Sequence, residues 1–433
     1  MQALTLTFAG LVSLAVLMLP PAHAFSIYVI TLLFYPVYLV VQLGPLDISA
    51  ARIVVAVLLL RGLLNARLRA KFKWCRLDRW VTFAAIANLC VALVAWKVPM
   101  AKSFEKEAGY MMDTYFAYLA ARLCLTDYKA TLTSIKWLAI ALIPLALLGV
   151  IESYTGWAPY YKLFAYCPWV QVTEPVLSER TGFYRAIGPF SHPIMFGTAF
   201  AMFLPLVYWL RHQSGYWRTG SRLVAGFLAI GTLSSMSSGP VMMLVFASCF
   251  LLLERFKQLV KPLIIFAVIS CVLLEVISNR TFYHVLASYA DPLGGSGWHR
   301  ARLIDLAIEH FNEWWLLGYG LQDPKWGEFL GMSWTDITNH YVMAGIAYGV
   351  LGVIGLCSIL AVSIGTLVKL HKSATSPPLA SLYWALGVIV VSLVISFNSF
   401  TLFGQAETLF YCILGFVGSS VNMKLTAVLD GFI

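Results

Sequence analysis

Apolar residues fall in long runs along this chain, separated by short polar stretches. Runs long enough to cross, or nearly cross, about 30 Å of hydrocarbon occupy residues 4–20, 25–43, 46–64, 80–97, 109–126, 137–153, 190–210, 222–236, 240–253, 262–278, 341–368, 379–402 and 408–423. The pattern predicts an all-α, polytopic membrane protein with about 12 or 13 transmembrane helices, forming a single integral membrane domain over residues 1–433. Region 4–43 has two interpretations, as two helices or as one broken helix.

The first apolar run ends in Pro20-Pro21-Ala22-His23-Ala24, which superficially resembles the end of a signal peptide. A signal peptide begins with a positively charged region, and none precedes this run. The sequence therefore favours a first membrane segment that is retained.

Composition supports the membrane interpretation. Charged residues make up 12% of the 433 residues, whereas a soluble protein averages about 25%. The net charge of +10 does not indicate nucleic-acid binding, because the basic residues cluster in short loops and not on one basic face. The eight cysteines show no CxxC or Cys/His spacing, so the sequence predicts neither a metal site nor a disulfide framework.

The basic loops predict the orientation in the membrane. They lie at residues 61–79, 211–222, 255–261 and 369–372, and alternating the helices places all four on one side. Short basic loops mark the cytoplasmic side, where the C-terminus also falls. Two longer segments, residues 154–188 and 280–340, are then expected on the periplasmic side of a bacterial inner membrane.

The larger of these loops contains an amphipathic pattern. Ile304, Ile308, Phe311 and Trp315 recur at helical spacing, and the opposite face carries Arg302, Asp305, Glu309 and Glu313. This spacing predicts a helix that lies on the outer membrane surface and covers a cavity below it.

Three short blocks carry candidate chemistry. Residues 182–193 read Gly-Phe-Tyr-Arg-Ala-Ile-Gly-Pro-Phe-Ser-His-Pro and lead into an apolar helix. Residues 294–303 read Gly-Gly-Ser-Gly-Trp-His-Arg-Ala-Arg-Leu and are followed by Leu317-Gly318-Tyr319-Gly320. Residues 335–341 read Thr-Asp-Ile-Thr-Asn-His-Tyr, directly before Gly345-Ile346-Ala347-Tyr348-Gly349. In this order and on this topology, the blocks resemble the O-antigen ligase and polysaccharide polymerase superfamily.

The resemblance implies a GT-C-like fold and a metal-independent, inverting glycosyl transfer that needs no cofactor. The donor would be an undecaprenyl-diphosphate-linked glycan, and the acceptor a hydroxyl of lipid A–core or of another lipid-linked glycan repeat. Other implied partners are membrane lipids and further polysaccharide assembly proteins, but no nucleic acid. By matching position, Arg185 and Arg302 correspond to the arginines associated with the donor diphosphate, with Arg300 as the alternative to Arg302. His340 corresponds to the catalytic histidine.

The chain departs from the family pattern at two places. Relatives often carry an arginine after serine between two central helices, whereas this chain reads Ser237-Ser238-Gly239-Pro240. Ser237, Ser238 and the backbone N–H groups of the next helix are candidate phosphate contacts that would partly replace it. His340 follows Asn339, where many relatives have Asn after His.

The chemistry of these residue types suits such a transfer. Arginine stays charged and binds phosphate oxygens in a bidentate fork, and histidine can accept a proton near neutral pH. Structural alternatives stay open, since Arg302 can pair with Asp305 and His340 can be a capping residue. The sequence leaves ligase and polymerase open, with a slight preference for polymerase. Rival classes are a lipid-linked oligosaccharide flippase, which predicts internal pseudo-symmetry and charged residues at mid-bilayer, and a non-catalytic scaffold.

Overall fold

A computed structural model describes residues 2–36, 38–43, 46–161, 177–289 and 297–429. The expected loops 154–188 and 280–340 are therefore described in part, and residues 294–296 of the second block lie outside the described residues. The described chain is predominantly α-helical, as the sequence predicts. Two short antiparallel ribbons interrupt it, β1 (Val40–Leu43) with β2 (Leu46–Ser49) and β3 (Glu179–Arg180) with β4 (Phe183–Tyr184).

The helices of the first half of the chain alternate with short turns. They are α1 (Gln2–Met18), α2 (Pro21–Phe34), α3 (Ala50–Leu64), α4 (Ala66–Lys71), α5 (Arg76–Ala95), α6 (Met100–Met111), α7 (Ala117–Cys124) and α8 (Tyr128–Thr155). A π-helical turn, Met112–Phe116, joins α6 to α7.

The second half begins with a buried helix and ends with three long ones. Its helices are α9 (Pro193–Trp209), α10 (Trp217–Ser234), α11 (Ser238–Leu253), α12 (Val260–Ile277), α13 (Phe282–Tyr289), α14 (Gly297–Glu309), α15 (Phe311–Trp314), α16 (Gly327–Leu330), α17 (His340–Lys372), α18 (Pro377–Ser396) and α19 (Gly404–Leu429). Short 3₁₀ turns at Leu210–His212 and Glu254–Leu259 follow α9 and α11.

Among the described residues, six helical stretches are long and apolar enough to cross a membrane. They are Arg76–Ala95, Tyr128–Thr155, Pro193–His212, Ser238–Ile277, His340–Lys372 and Pro377–Ser396. The sequence predicts 12 or 13 such helices. Each of the 13 apolar runs does contain a helix, but α1 and α2 are only 17 and 14 residues long, and Ser238–Ile277 combines two predicted runs.

Region 4–43 contains two helices followed by strand β1. Pro20 precedes α2, and Pro21 occupies its first helical position, which is where proline is favoured. The predicted apolar run 25–43 stops being helical at Tyr35, which adopts an extended conformation (φ −83°, ψ 122°). The next residue is Pro36, whose ring disfavours the helical conformation of the residue before it.

The bundle is organised around α9. Fifteen of its 17 residues are buried, as expected for a helix that is apolar on every face. Phe196, Phe200 and Phe203 fill the space between it and its neighbours. At the other extreme, no residue of α12 is buried. An 18-residue apolar helix exposed in this way needs a partner other than water.

Helix α17 is broken near its start. Gly349 has φ 64° and ψ −157°, a backbone conformation that is essentially restricted to glycine. The loop 315–320 fills the break, because the Val350 N–H donates to the Trp315 carbonyl at 2.6 Å and the Tyr319 N–H donates to the Ile346 carbonyl at 2.6 Å. The first nine residues of α17, beginning with His340, thus form a short helix that is fixed against this loop.

The predicted surface helix is shorter than the spacing suggests. Helix α14 ends at Glu309, and α15 begins at Phe311. The buried face of α14 carries Leu303, Leu306 and Ala307. The predicted apolar face is instead largely exposed, with Ile308 62% and Trp315 42% accessible.

Candidate functional site

The turn between α18 and α19, residues 397–403, brings the first and third sequence blocks together. The His340 N–H donates to the Phe397 carbonyl at 2.8 Å, and the Thr401 hydroxyl donates to the Ile337 carbonyl at 2.7 Å. On its other flank, the Phe403 ring lies 6.0 Å from the His192 ring. We call this turn the connecting turn, and the end of the bundle that contains it the site end.

Arg185 follows the β3–β4 hairpin at the site end. Its Nη2 donates to the Ser237 hydroxyl at 2.9 Å, and its Nη1 lies 3.5 Å from the Ser178 hydroxyl. Its Nε is buried and has no hydrogen-bond partner in the described chain. Burial and the charge of Arg180 lower the pKa of Arg185, and no carboxylate among the described residues forms an ion pair with it. The half-buried charge of Arg185 is therefore not neutralised by any described residue.

Glu152, near the end of α8, fixes the backbone that follows Arg185. Its Oε2 accepts hydrogen bonds from the N–H groups of Ile187 at 2.9 Å and Gly188 at 2.7 Å. The Ala186 N–H donates to the Ser234 carbonyl at 3.0 Å. Glu152 is fully buried, so this carboxylate acts as an internal clamp on the turn and sets the direction in which Arg185 leaves it.

His192 caps α9. Its Nδ1 accepts a hydrogen bond from the Ile194 N–H at 3.1 Å, which requires Nδ1 to be unprotonated. Burial and the nearby charge of Arg185 lower the pKa of His192 to about 4. His192 is therefore a neutral N-cap, and its role in this structure is to start α9 and support the loop that carries Arg185.

Ser237 and Ser238 stand at the start of α11, opposite Arg185. Both are buried, at 1% and 3% exposure. The Ser237 hydroxyl donates to the Ser235 carbonyl at 2.8 Å while it accepts from Arg185. Phe400 of the connecting turn packs against Gly239, where an added Cβ would lie 2.6 Å from the Phe400 ring. The start of α11 thus lies between Arg185 and the connecting turn, and the N-terminus of a helix favours negative charge.

His340 is the first residue of α17. Its ring packs on Phe397 with centroids 4.5 Å apart, and its Nδ1 is buried without a hydrogen-bond partner in the described chain. The preceding Asn339 caps the helix, since its Oδ1 accepts from the N–H groups of Tyr341 at 3.0 Å and Val342 at 3.1 Å. The capping role falls to Asn339, so His340 retains a ring nitrogen that can accept a proton.

The two arginines of α14 have different surroundings. Arg302 is tied to its own helix, because its guanidinium contacts Glu309 at 2.7 Å and Asp305 at 3.8 Å, and Glu309 raises its pKa. Arg300 instead lies on the buried face with Leu303 and Ala307, at 8% exposure. The adjacent His299 donates from Nε2 to the Asp336 carbonyl at 2.9 Å, which joins this helix to the segment leading to His340. Of the two, Arg300 has the position that suits a site residue.

Sequence reasoning did not predict the contacts of three carboxylates near the site end, those of Glu107, Glu152 and Glu407. Glu107 accepts a hydrogen bond from the Tyr348 hydroxyl at 2.6 Å, and Glu407 accepts one from the Tyr110 hydroxyl at 2.8 Å. Glu152 is the third. An acidic residue inside an apolar stretch is by default a functional candidate, and the sequence carries that signal at Glu152, inside the apolar run 137–153, but not at Glu107, which follows Glu105 and Lys106.

The comparison with known proteins adds no relative. No family model and no curated protein matches the chain, so the resemblance to the O-antigen ligase and polymerase superfamily continues to rest on the three sequence blocks.

Proposed function

We propose that this chain is a bacterial inner-membrane glycosyltransferase that moves a glycan from an undecaprenyl-diphosphate-linked donor to a hydroxyl acceptor, without a metal and with inversion. The observation that carries the proposal is Arg185, a half-buried guanidinium that contacts two hydroxyls and has no described carboxylate partner. A buried charge without a counter-charge is costly. A bound phosphate would supply that counter-charge.

Membrane insertion is supported by the long apolar helices and by α12 in particular. This helix has no buried residue, so lipid is the environment that suits its surface. The four basic loops support an orientation with the site end facing the periplasm. In that orientation the donor lipid reaches Arg185 from the outer leaflet.

The donor diphosphate would be held at the start of α11. Arg185 supplies a permanent positive charge and two directed N–H groups, and Ser237 and Ser238 supply hydroxyls. The N-terminal N–H groups of α11 add a favourable dipole. Arg300 is our preferred second arginine, because it lies on the buried face of α14, whereas Arg302 lies on the exposed face, where it pairs with Glu309 and Asp305. These groups stabilise the negative charge that develops on the leaving diphosphate.

His340 would act as the general base. The acceptor oxygen attacks the anomeric carbon from the face opposite the diphosphate, the bond from that carbon to the phosphate oxygen breaks, and the hydroxyl proton passes to a ring nitrogen of His340. Attack from the opposite face inverts the anomeric configuration. Packing against Phe397 restricts the motion of the His340 ring.

Within this activity we favour a polymerase of polysaccharide repeat units over an O-antigen ligase. Two sequence features support this choice, the order Ile337-Thr338-Asn339-His340-Tyr341 and the modest length of the outer loops. The two are separated by the surface polysaccharide of a deletion strain. Loss of a polymerase reduces the gel ladder to one repeat, whereas loss of a ligase leaves long chains that are not attached to lipid A–core.

The alternative is a flippase for lipid-linked oligosaccharide. The break of α17 at Gly349 favours it, since discontinuous helices are typical of transporters. A flippase would move fluorescent lipid-linked glycan across liposomes without forming a glycosidic bond. The proposed transferase would form the bond in detergent, where no two compartments exist.

The proposal is tested with purified full-length chain and lipid-linked glycan extracted from a strain lacking its gene. We expect longer glycans from the wild-type chain alone. Replacing Arg185 by alanine should reduce donor retention, and replacing His340 by alanine should abolish transfer while donor retention persists. Equal retention by wild type and Arg185→Ala would remove the diphosphate assignment.

A further inference from the structure

A cavity with both apolar and polar lining lies at the site end, against the start of α19. Its volume is about 230 Å³. The residues that line it come from the end of α2, the β1–β2 ribbon, α3, the π-turn and the start of α19: Leu32, Tyr35, Pro36, Val40, Asp47, Ser49, Ala51, Arg52, Asp113, Gly404, Gln405 and Thr408. Gly404 directly follows the connecting turn, and a Cβ added to it would lie 4.0 Å from the Ser191 hydroxyl of the first sequence block.

One wall of the cavity is a fixed charge pair. Arg52 donates to both carboxylate oxygens of Asp113, from Nε at 2.9 Å and from Nη2 at 2.6 Å, and from Nη1 to the Asp47 carbonyl at 2.6 Å. Asp113 stands in the π-turn that joins α6 to α7. Such turns are rare and occur frequently at functional sites. The bidentate geometry orients both side chains and leaves them about a quarter exposed toward the cavity.

Gln405, which also lines the cavity, has a buried acceptor atom without a donor. Gln405 is 6% exposed, and its Nε2 donates to the carbonyls of Leu32 at 2.6 Å and Tyr35 at 3.1 Å. These two bonds fix the amide orientation, so Oε1 is the remaining polar atom. Oε1 is buried and has no hydrogen-bond partner in the described chain. Leaving a buried acceptor unsatisfied costs free energy, which a ligand hydroxyl would recover.

We propose that this cavity binds one uncharged sugar ring of the glycan. The proposal rests on the proposed function and adds a saccharide subsite to it. Sugar hydroxyls both donate and accept, and the cavity offers the partly exposed Asp113 carboxylate as an acceptor, the Arg52 guanidinium as a donor and, beside them, the unsatisfied Gln405 Oε1. The cavity is smaller than the roughly 300–1,000 Å³ of pockets for drug-sized ligands, which suits a single ring. Two aspartates against one arginine disfavour a uronic acid or a phosphate.

The test measures binding in the absence of turnover. The full-length His340→Ala chain is placed in lipid nanodiscs, and retention of labelled lipid-linked glycan, extracted from a strain lacking the gene, is measured. Adding Gln405→Leu should weaken retention roughly 3- to 10-fold, as expected for one lost hydrogen bond. The control for the glutamine-to-leucine change is Gln213→Leu, which loses its bond to the Tyr128 hydroxyl away from the cavity and should leave retention unchanged. Because Gln405→Leu also removes two bonds to backbone carbonyls, the melting temperatures of both variants are measured beside retention.

A second variant guards against misfolding. Asp113→Asn keeps the shape of the side chain, and its ion pair is partly exposed, so it contributes at most about 1 kcal/mol to stability. It should also weaken retention. Retention by Gln405→Leu and Asp113→Asn equal to that of Gln213→Leu would overturn the saccharide subsite while leaving the proposed function intact. Loss of all retention in the His340→Ala parent would overturn the proposed function, and the subsite with it.

Discussion

The Arg185 guanidinium donates a 2.9 Å hydrogen bond to the Ser237 hydroxyl, joining residues 52 positions apart in the sequence. The bond connects the loop before α9 to the start of α11. Because burial lowers the pKa of Arg185 and no described carboxylate offsets it, this pair is the place where an anion would be most favourable.

The first prediction concerns donor binding by the three arginines. Arg185→Ala should weaken retention of the lipid-diphosphate donor roughly 10- to 100-fold, since hydrogen bonds to charged groups contribute about 1.5–3 kcal/mol. Arg300→Ala should also weaken it, whereas Arg302→Ala should have little effect because Arg302 is paired with Glu309. Retention is measured with each purified variant. A strong effect of Arg302→Ala with none from Arg300→Ala would reverse our assignment.

The second prediction concerns Glu152. Glu152→Ala leaves the buried N–H groups of Ile187 and Gly188 without their acceptor, at about 1–3 kcal/mol each. It should lower the melting temperature and reduce donor retention. Glu152→Gln is the matched control, because its amide oxygen can still accept both bonds. If the Ala and Gln variants have the same melting temperature and the same donor retention, Glu152 does not fix the loop that carries Arg185.

The third prediction concerns the break in α17. Gly349→Ala should destabilise the protein, because its backbone conformation alone costs a residue with a side chain about 1–3 kcal/mol. In addition, a Cβ would lie 2.4 Å from the Leu316 carbonyl oxygen. Gly365→Ala in the same helix has open space around it and should be neutral or stabilising by up to about 1 kcal/mol. The melting temperatures of the two variants are compared by thermal unfolding. Equal values would contradict a break of α17 at Gly349.

The fourth prediction concerns pH. The pKa of His192 falls to about 4 in the folded chain from an ordinary 6.5. Between these values the unfolded chain binds a proton that the folded chain does not, so stability should fall as pH drops from about 6.5 to 4. His192→Asn keeps a capping side chain and removes this titration. The melting temperature of this variant should vary less over that pH range than that of the wild type. An equal dependence of melting temperature on pH in both proteins would argue against His192 as a neutral N-cap.

Much of the fold follows from hydrophobic periodicity, because an apolar run of 15 to 20 residues has few structures open to it other than a helix. Each predicted run contains a helix, and the end of α2 at Phe34 follows from Pro36, which disfavours a helical conformation at Tyr35. The break at Gly349 does not follow from periodicity. It depends on hydrogen bonds from a distant loop, and the sequence carries only a glycine at that position.

The candidate site was predictable in its residue types but not in its pairings. Arg185 and Ser237 were identified separately, and their contact depends on how α9 and α11 pack. The choice between Arg300 and Arg302 also required the structure, since both lie on one helix and only packing decides which one faces inward. Glu152 and Gln405 act through contacts with distant backbone groups, which no local pattern reveals.

The most direct test of the central claim is glycan transfer by the purified chain, with His340→Ala beside the wild type. General base catalysis contributes typically 10²–10⁴-fold. We therefore expect the wild-type chain alone to lengthen or transfer the lipid-linked glycan, and His340→Ala to lose at least roughly a hundredfold in rate while it still retains the donor. Transfer by His340→Ala at the wild-type rate would contradict the account.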